Sequence, residues 1–208
     1  MRIISLLASA TEMINALGCL NQLVGRSHEC DYPPQIQSLP IVSKVQIEVD
    51  TSSAEIDAQI KQLARREDLE PNGALKALSI YAIDVEQLQA LRPDVIFTQT
   101  QCEVCAVSER DVMEAVKQLT GLQPRIVSLS PHQLSDVWED LLRVGKALGR
   151  EEQAQALIEG YQQRLNNLQT QVGAFGNLPT VAMLEWLDPL MSAGNWIPEL
   201  VEIAGGQA

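Results

Sequence analysis

The sequence is poor in the groups that most protein chemistry depends on. It has two histidines, four cysteines and only 4% aromatic residues in 208 positions. Lys and Arg number 15 against 27 Asp and Glu, a formal net charge of −12. The cationic surface that phosphate binding needs is therefore missing, which argues against a nucleic-acid partner. Docking on anionic lipid is disfavoured for the same reason. No apolar run approaches the roughly 20 residues of a membrane helix, so the chain is not expected to insert in a membrane. Cysteines at 19, 30, 102 and 105 are too few and too scattered for a disulfide-stapled mini-domain. No G-x-G-x-x-G, Walker loop, nucleophile elbow or His-Glu-x-x-His occurs, and no Ser/His/Asp set can be assembled. With 46% hydrophobic residues, 12 Gly and 10 Pro, disorder and collagen-like architecture are also excluded. A globular chain remains, long enough to bury a core in one or two domains.

Apolar periodicity organises that chain. Ile3-Ile4-Ser5-Leu6-Leu7 reads as a buried strand, and Ser9-Ala10-Thr11-Glu12 as a capping box opening a helix that Gly18 closes. The first ten residues imitate a secretion signal, with Ala8-Ser9-Ala10 as cleavage site, but the basic region is almost absent. They read as strand and cap, so no signal peptide is expected. Residues 23–26 form a second strand, and the paired prolines of 28–34 enforce a loop. Short extended pieces follow at 41–42 and 47–49. Ser52-Ser53-Ala54-Glu55 caps the next helix, and the polar residues 65–73 read as an exposed loop. Strands are expected at 79–83, 94–98, 125–129 and 180–184, with helices over 85–91, 107–119 and from Leu134 to near Gly149. Ala154, Leu157, Ile158, Tyr161, Leu165, Leu168 and Val172 make a helical stripe of about six turns over 151–172. Residues 185–195 read as a loop and 196–204 as a short helix. Alternating strands and helices predict an α/β fold with a mostly parallel sheet. The last strand–loop–helix unit cannot build a core alone, and the sequence is read as a fragment of a longer protein.

In a parallel sheet, loops leaving the carboxyl ends of strands share one edge, where ligands usually bind. Residues 8–11, 28–34, 101–107 and 185–196 fall on such loops. His28, Cys30, Cys102 and Cys105 supply the donor types of a structural zinc site. The Cys-x-x-Cys spacing suits a metal or a redox pair equally, and Cys105 alternatively reads as a small buried hydrophobe at a helix start. Cys19, beside the Gly18 cap, reads as core. The neutral imidazole of His28 offers a lone pair for general-base or axial-ligand work, or hydrogen bonds to its neighbours. His132 reads as a capping or surface residue and Trp138 as core. Trp186 and Trp196 flank the irregular Asp188-Pro189 segment, where a flat aromatic serves a ligand better than a core.

The residues also carry a resemblance. Ile3-Ile4-Ser5-Leu6, Ser9-Ala10-Thr11-Glu12, Leu17-Gly18 and Leu23-Val24-Gly25 resemble the opening of solute-binding proteins of cobalamin and iron-chelate ABC importers. Leu91-Arg92-Pro93-Asp94-Val95-Ile96 resembles their mid-lobe helix-to-strand turn. Ser27-His28-Glu29-Cys30-Asp31-Tyr32-Pro33, Cys102-Glu103-Val104-Cys105-Ala106-Val107 and Leu184-Glu185-Trp186-Leu187-Asp188-Pro189 resemble the cobalamin-binding branch. The resemblance implies the helical-backbone solute-binding architecture: a parallel-sheet α/β lobe over 1–150, a connecting helix over 151–175 and an incomplete second α/β lobe over 176–208. It implies a non-enzymatic protein that holds a corrinoid or related metal chelate in an inter-lobe cleft. Ser9, His28, Glu29, Tyr32, Trp186, Asp188 and Trp196 would be the contacts, and an ABC permease the partner. The compartment would be periplasmic, against the cytoplasmic reading of a chain without a signal. Two alternatives stand beside it: a zinc or iron carrier using His28, Cys30, Cys102 and Cys105, and a thiol redox protein acting through Cys102 and Cys105. The last is disfavoured because a thioredoxin-like order of elements is absent.

Overall fold

The structure, a computed structural model, describes residues 1–67, 81–100, 107, 109–173 and 178–208. In chain order its elements are β1 (Ile3–Ser5), α1 (Ala8–Ala16), β2 (Leu23–Arg26), β3 (Ser43–Val45), α2 (Ser53–Glu67), β4 (Tyr81–Ile83), α3 (Val85–Leu91), β5 (Val95–Gln99), α4 (Glu109–Lys117), β6 (Arg125–Leu129), α5 (Leu134–Leu148), α6 (Glu151–Val172), β7 (Leu184–Leu187), β8 (Leu190–Ser192) and α7 (Ile197–Ile203). The chain divides into two compact units, Met1–Leu129 and Ser130–Ala208.

The first unit is built on a four-stranded sheet in the order β2-β1-β5-β6, every neighbouring pair parallel. Parallel strands buried on both faces read as continuous apolar runs, which is how β1 and β5 appear in the sequence. Both are buried along their whole length. Ile4, Leu6, Val42, Leu88, Ile96, Val107, Val112 and Ala115 gather into one core cluster with Tyr81. The chain runs outward from β1 to β2, then returns to the other side of β1 for β5 and β6. The winding direction therefore reverses between β1 and β5, the position where open α/β sheets place their ligands. A small antiparallel pair, β3 with β4, sets Ser43 opposite Ile83 and Val45 opposite Tyr81.

In the second unit α5 and α6 are joined by Gly149, which adopts φ 66°. The predicted six-turn helix is continuous over 22 residues. Gly145 lets the two helices close: a Cβ built there would lie 2.6 Å from the Ala154 Cβ. Trp138, read as core, is half-buried and stacks on Tyr161 with ring centroids 6.1 Å apart.

Four local readings change. Ser9 is not a cap: α1 begins at Ala8 after an extended Leu7, with no side-chain cap bond, and Thr11 turns inward and is fully buried. The helix α2 extends to Glu67, three residues into the stretch read as loop. Thr180 makes only an isolated bridge to Gln207, and the paired strand starts later, at Leu184. The stretch 185–195, read as a loop, holds a β-hairpin that turns at Asp188-Pro189. By contrast the Ser52 box forms as read, with the Ser52 N–H and hydroxyl donating to Glu55 and the Glu55 N–H donating back.

Candidate functional site

The carboxyl edge of the first unit's sheet is where its chemistry-bearing residues collect. After β1 the chain passes Leu6 and Leu7 into α1, tied to the next strand by the Leu6 N–H donating to Phe97 O at 2.9 Å. Ser9 lies exposed in the first turn of α1. After β2 comes the loop carrying Ser27, His28, Glu29, Cys30, Asp31 and Tyr32, and the Ser27 N–H donates to Ser5 O at 2.9 Å. After β5, the Thr98 hydroxyl donates to Val107 O at 2.5 Å, fixing the far end of the 99–107 connection.

The loop after β2 is held by hydrogen bonds on several sides. Ser43 receives the His28 N–H at 3.1 Å and lies 2.9 Å from His28 Nδ1. The imidazole is tilted against Tyr81, ring centroids 5.1 Å apart. Its Nε2 is buried and lies 3.2 Å from Glu29 Oε1, without the alignment of a hydrogen bond. Both ring nitrogens thus have oxygen neighbours, and the Glu29 side chain is 57% exposed. Burial raises the Tyr81 phenol above its ordinary value, and the Glu29 charge adds to the effect. Within the loop, the Ser27 hydroxyl accepts from the Glu29 N–H at 3.0 Å. Cys30 is fully buried: its sulfur lies 3.1 Å from Thr11 Oγ1 and donates toward Ser5 O at 3.8 Å. Outward, the loop presents Tyr32, 55% exposed, beside exposed Asp31 and Glu29.

Of the sequence-proposed residues, the structure brings His28, Glu29 and Tyr32 onto one loop and puts Ser9 on the same edge. Cys102 and Cys105 lie outside the described residues. Among the described residues no three His, Cys, Asp or Glu gather as a metal site, and Cys19 and Cys30 are free thiols. Trp186, Asp188 and Trp196 belong to the second unit. Trp186 is half-buried, pairs with Met191 across the hairpin and donates from its indole N–H to Asp188 O at 3.0 Å. Trp196 is half-buried and opens α7. His132 is exposed, and its backbone N–H donates to Asp136 at 2.9 Å. Sequence reasoning missed Thr11, Ser43 and Tyr81, which hold the loop rather than face outward. Their signal, a polar residue inside an apolar segment, is visible only once the segments are paired.

Chemically the edge offers fixed donors, acceptors and an aromatic face. The Cys30 sulfur is engaged by Thr11 and Ser5, and the hydroxyl beside the His28 imidazole is that of Ser43.

Residues 3–208 match the family described as periplasmic binding protein. A curated relative, the vitamin B12-binding protein of Pectobacterium atrosepticum, is 26% identical over 168 residues, 81% of this chain and 45% of that protein. Among solved structures, the periplasmic vitamin B12-binding protein BtuF of Vibrio cholerae matches with TM-score 0.64 and 22% identity, covering 99% of this chain and 64% of its own. The periplasmic haem-binding protein RhuT of Roseiflexus sp. RS-1 matches with TM-score 0.65 and 21% identity, covering 100% and 65%. The chain spans less than half the length of the curated relative and under two thirds of both solved ones.

Proposed function

Because the chain belongs to the periplasmic binding protein family, we propose that it binds a corrinoid of the cobalamin type and serves an ABC-type importer. The observation that carries this reading is the hydrogen-bonded loop bearing His28, Glu29 and Tyr32 on the carboxyl edge of a sheet whose winding reverses between β1 and β5. The vitamin B12-binding relative supports the choice of ligand. We assign Ser9, His28, Glu29 and Tyr32 as contacts from the first unit, and Trp186, Asp188 and Trp196 as contacts from the second.

A corrin is a large rigid plate with apolar faces and a rim of amides. Flat aromatic side chains suit the faces, and hydroxyl, carboxylate and imidazole groups suit the rim. The proposed role is binding, the role by which the family is described. A second reading, an iron chelate such as haem, draws on His28. With Nδ1 beside Ser43, Nε2 is the nitrogen that would be left to hold the chelate's iron, and it is buried in this structure, so it would have to become accessible first. A carrier of bare metal through Cys30 would first have to release the sulfur from Thr11 and Ser5.

Titration of the chain with cyanocobalamin, haemin and zinc, followed by absorbance and calorimetry, separates these readings. Saturable 1:1 binding of cyanocobalamin, weakened by His28→Ala with Tyr32→Ala, is expected. Binding of haemin with no response to cyanocobalamin would replace the corrinoid reading with the haem one. Binding of zinc alone would remove both.

A further inference from the structure

The residue that organises the candidate loop lies outside every motif named so far. Arg26 ends β2 and is 9% exposed. Its backbone N–H donates to Pro40 O at 3.0 Å and its carbonyl accepts from the Val42 N–H at 2.9 Å, so the returning chain locks the strand end. Its guanidinium donates to four backbone carbonyls. Nε reaches Ile36 O at 3.1 Å, Nη1 reaches Ser27 O at 3.1 Å and Cys30 O at 2.9 Å, and Nη2 reaches Gln37 O at 3.2 Å. Among the described residues no carboxylate forms an ion pair with it.

A buried cation without a counter-charge is costly unless its donors are satisfied. Here carbonyl dipoles take that role. Residues 27–37 leave the sheet without forming a strand, so their inward carbonyls have no ladder to accept from; those of Ser27 and Ile36 take the Cys30 and Leu39 N–H locally, and the arginine is what ties them to the Cys30 and Gln37 carbonyls. A planar fork of donors reaches several such acceptors at once, whereas lysine presents three donors from a single atom. The carbonyls come from both arms of the loop: Ser27 and Cys30 on the way out, Ile36 and Gln37 on the way back. His28 and Glu29 lie on the outgoing arm, and Asp31 and Tyr32 are carried between the two. Thr11 and Ser43 add outer anchors at Cys30 and His28, but neither spans the two arms.

We propose that Arg26 is a positioning residue for ligand binding: its guanidinium fixes the loop over 27–37 in advance, so that His28 and Tyr32 meet the ligand without an ordering cost. The inference rests on the reading of this loop as a ligand surface. Preorganised contacts lose affinity when the supporting group is removed, even though that group touches no ligand.

The test uses the 208-residue chain with Arg26→Met, Arg26→Lys and Arg26→Ala beside the double variant His28→Ala with Tyr32→Ala. Amide exchange by mass spectrometry and cyanocobalamin titration are measured on each. In Arg26→Met the 27–37 amides are expected to exchange at least about tenfold faster while β1 and β5 keep their protection, and affinity falls by about tenfold or more. Arg26→Lys, with charge but an incomplete fork, is expected to fall between Arg26→Met and the parent. It carries the same comparison if Arg26→Met loses the protection of β5. Methylguanidinium added to Arg26→Ala is expected to restore both loop protection and affinity, which a general loss of stability would not allow. Unchanged loop exchange in Arg26→Met, or a loosened loop with unchanged affinity, overturns the proposal and leaves the site reading standing. Unchanged affinity in the double variant overturns the site reading, and this proposal with it.

Discussion

Strand β5 and the β7–β8 hairpin carry similar apolar signals and end in opposite environments. All five residues of β5 are buried, Ile96 and Phe97 completely. In the hairpin Leu184 is 50% exposed, Leu187 70% and Leu190 68%. Composition does not separate them; neighbours do. β5 has a parallel partner on each side, β1 and β6, and its residue Ile96 joins the main core cluster. Among the described residues β7 and β8 pair with each other alone, and a two-stranded ribbon by itself has no second layer to bury its side chains against. Apolar alternation therefore specifies that a strand forms, while the number of partners and layers decides what its side chains contribute. In the first unit the buried side chains gather on the sheet, and in the second most of them lie on α5 and α6.

That contrast can be broken in measurable ways, the largest first. Phe97→Ala should cost about 3–5 kcal/mol, the range for an aromatic removed from a closed core, whereas Leu187→Ala should stay within about 0.5 kcal/mol. Urea titrations of the two variants check this directly, and equal costs would erase the distinction between the units. Inside the second unit, Gly145→Val should cost about 1–3 kcal/mol by forcing α5 and α6 apart, the usual penalty of overpacking. Ala154→Gly should recover part of that loss, since the Ala154 methyl is the group the new side chain meets.

A smaller effect depends on pH. Burial pushes the Asp140 carboxyl up to about 6, the nearby Arg143 and the Ser130 N–H opposing it. A raised folded-state acid binds its proton more tightly than the unfolded chain does. The ionised group is thus unfavourable above pH 6, and that cost fades as pH falls from 6 toward the unfolded value near 4. Asp140→Asn keeps an acceptor for Ser130 and cannot ionise. Relative to the parent it should gain stability between pH 4 and pH 7, on the order of 2 kcal/mol. A difference that stays flat across that window would show that Arg143 compensates the charge fully. Smallest of all, Ser52→Ala should cost about 1 kcal/mol through loss of the α2 cap, read from the same denaturation curves.

Much of the fold was legible where one physical signal dominates. The apolar runs that became β1 and β5, and the stripe from Ala154 to Val172, announced their elements. Gly18 and Gly149 marked turns that do adopt positive φ. Where a pattern has two meanings the reading slipped. Ser9-x-x-Glu12 has the spacing of a capping box, but an extended Leu7 starts the helix before Ser9 can cap it, and the buried Thr11 is used against Cys30. The hairpin at 184–192 was hidden by Asp188-Pro189, which looks like a loop yet is the turn itself. At the candidate site, the outward residues His28, Glu29 and Tyr32 could be named from their motif. The inward ones, Ser43 and Tyr81, come from β3 and β4, more than ten residues away along the chain. Only strand pairing brings them beneath the imidazole.

The central claim is that the carboxyl edge of the first sheet, with the loop after β2, is a ligand surface. Amide exchange of the chain with and without saturating cyanocobalamin tests it most directly. The account predicts added protection concentrated at residues 6–9 and 27–32, with α2 and the exposed face of α6 unchanged. Protection confined to other segments, or none at a cobalamin concentration where calorimetry shows binding, would contradict it.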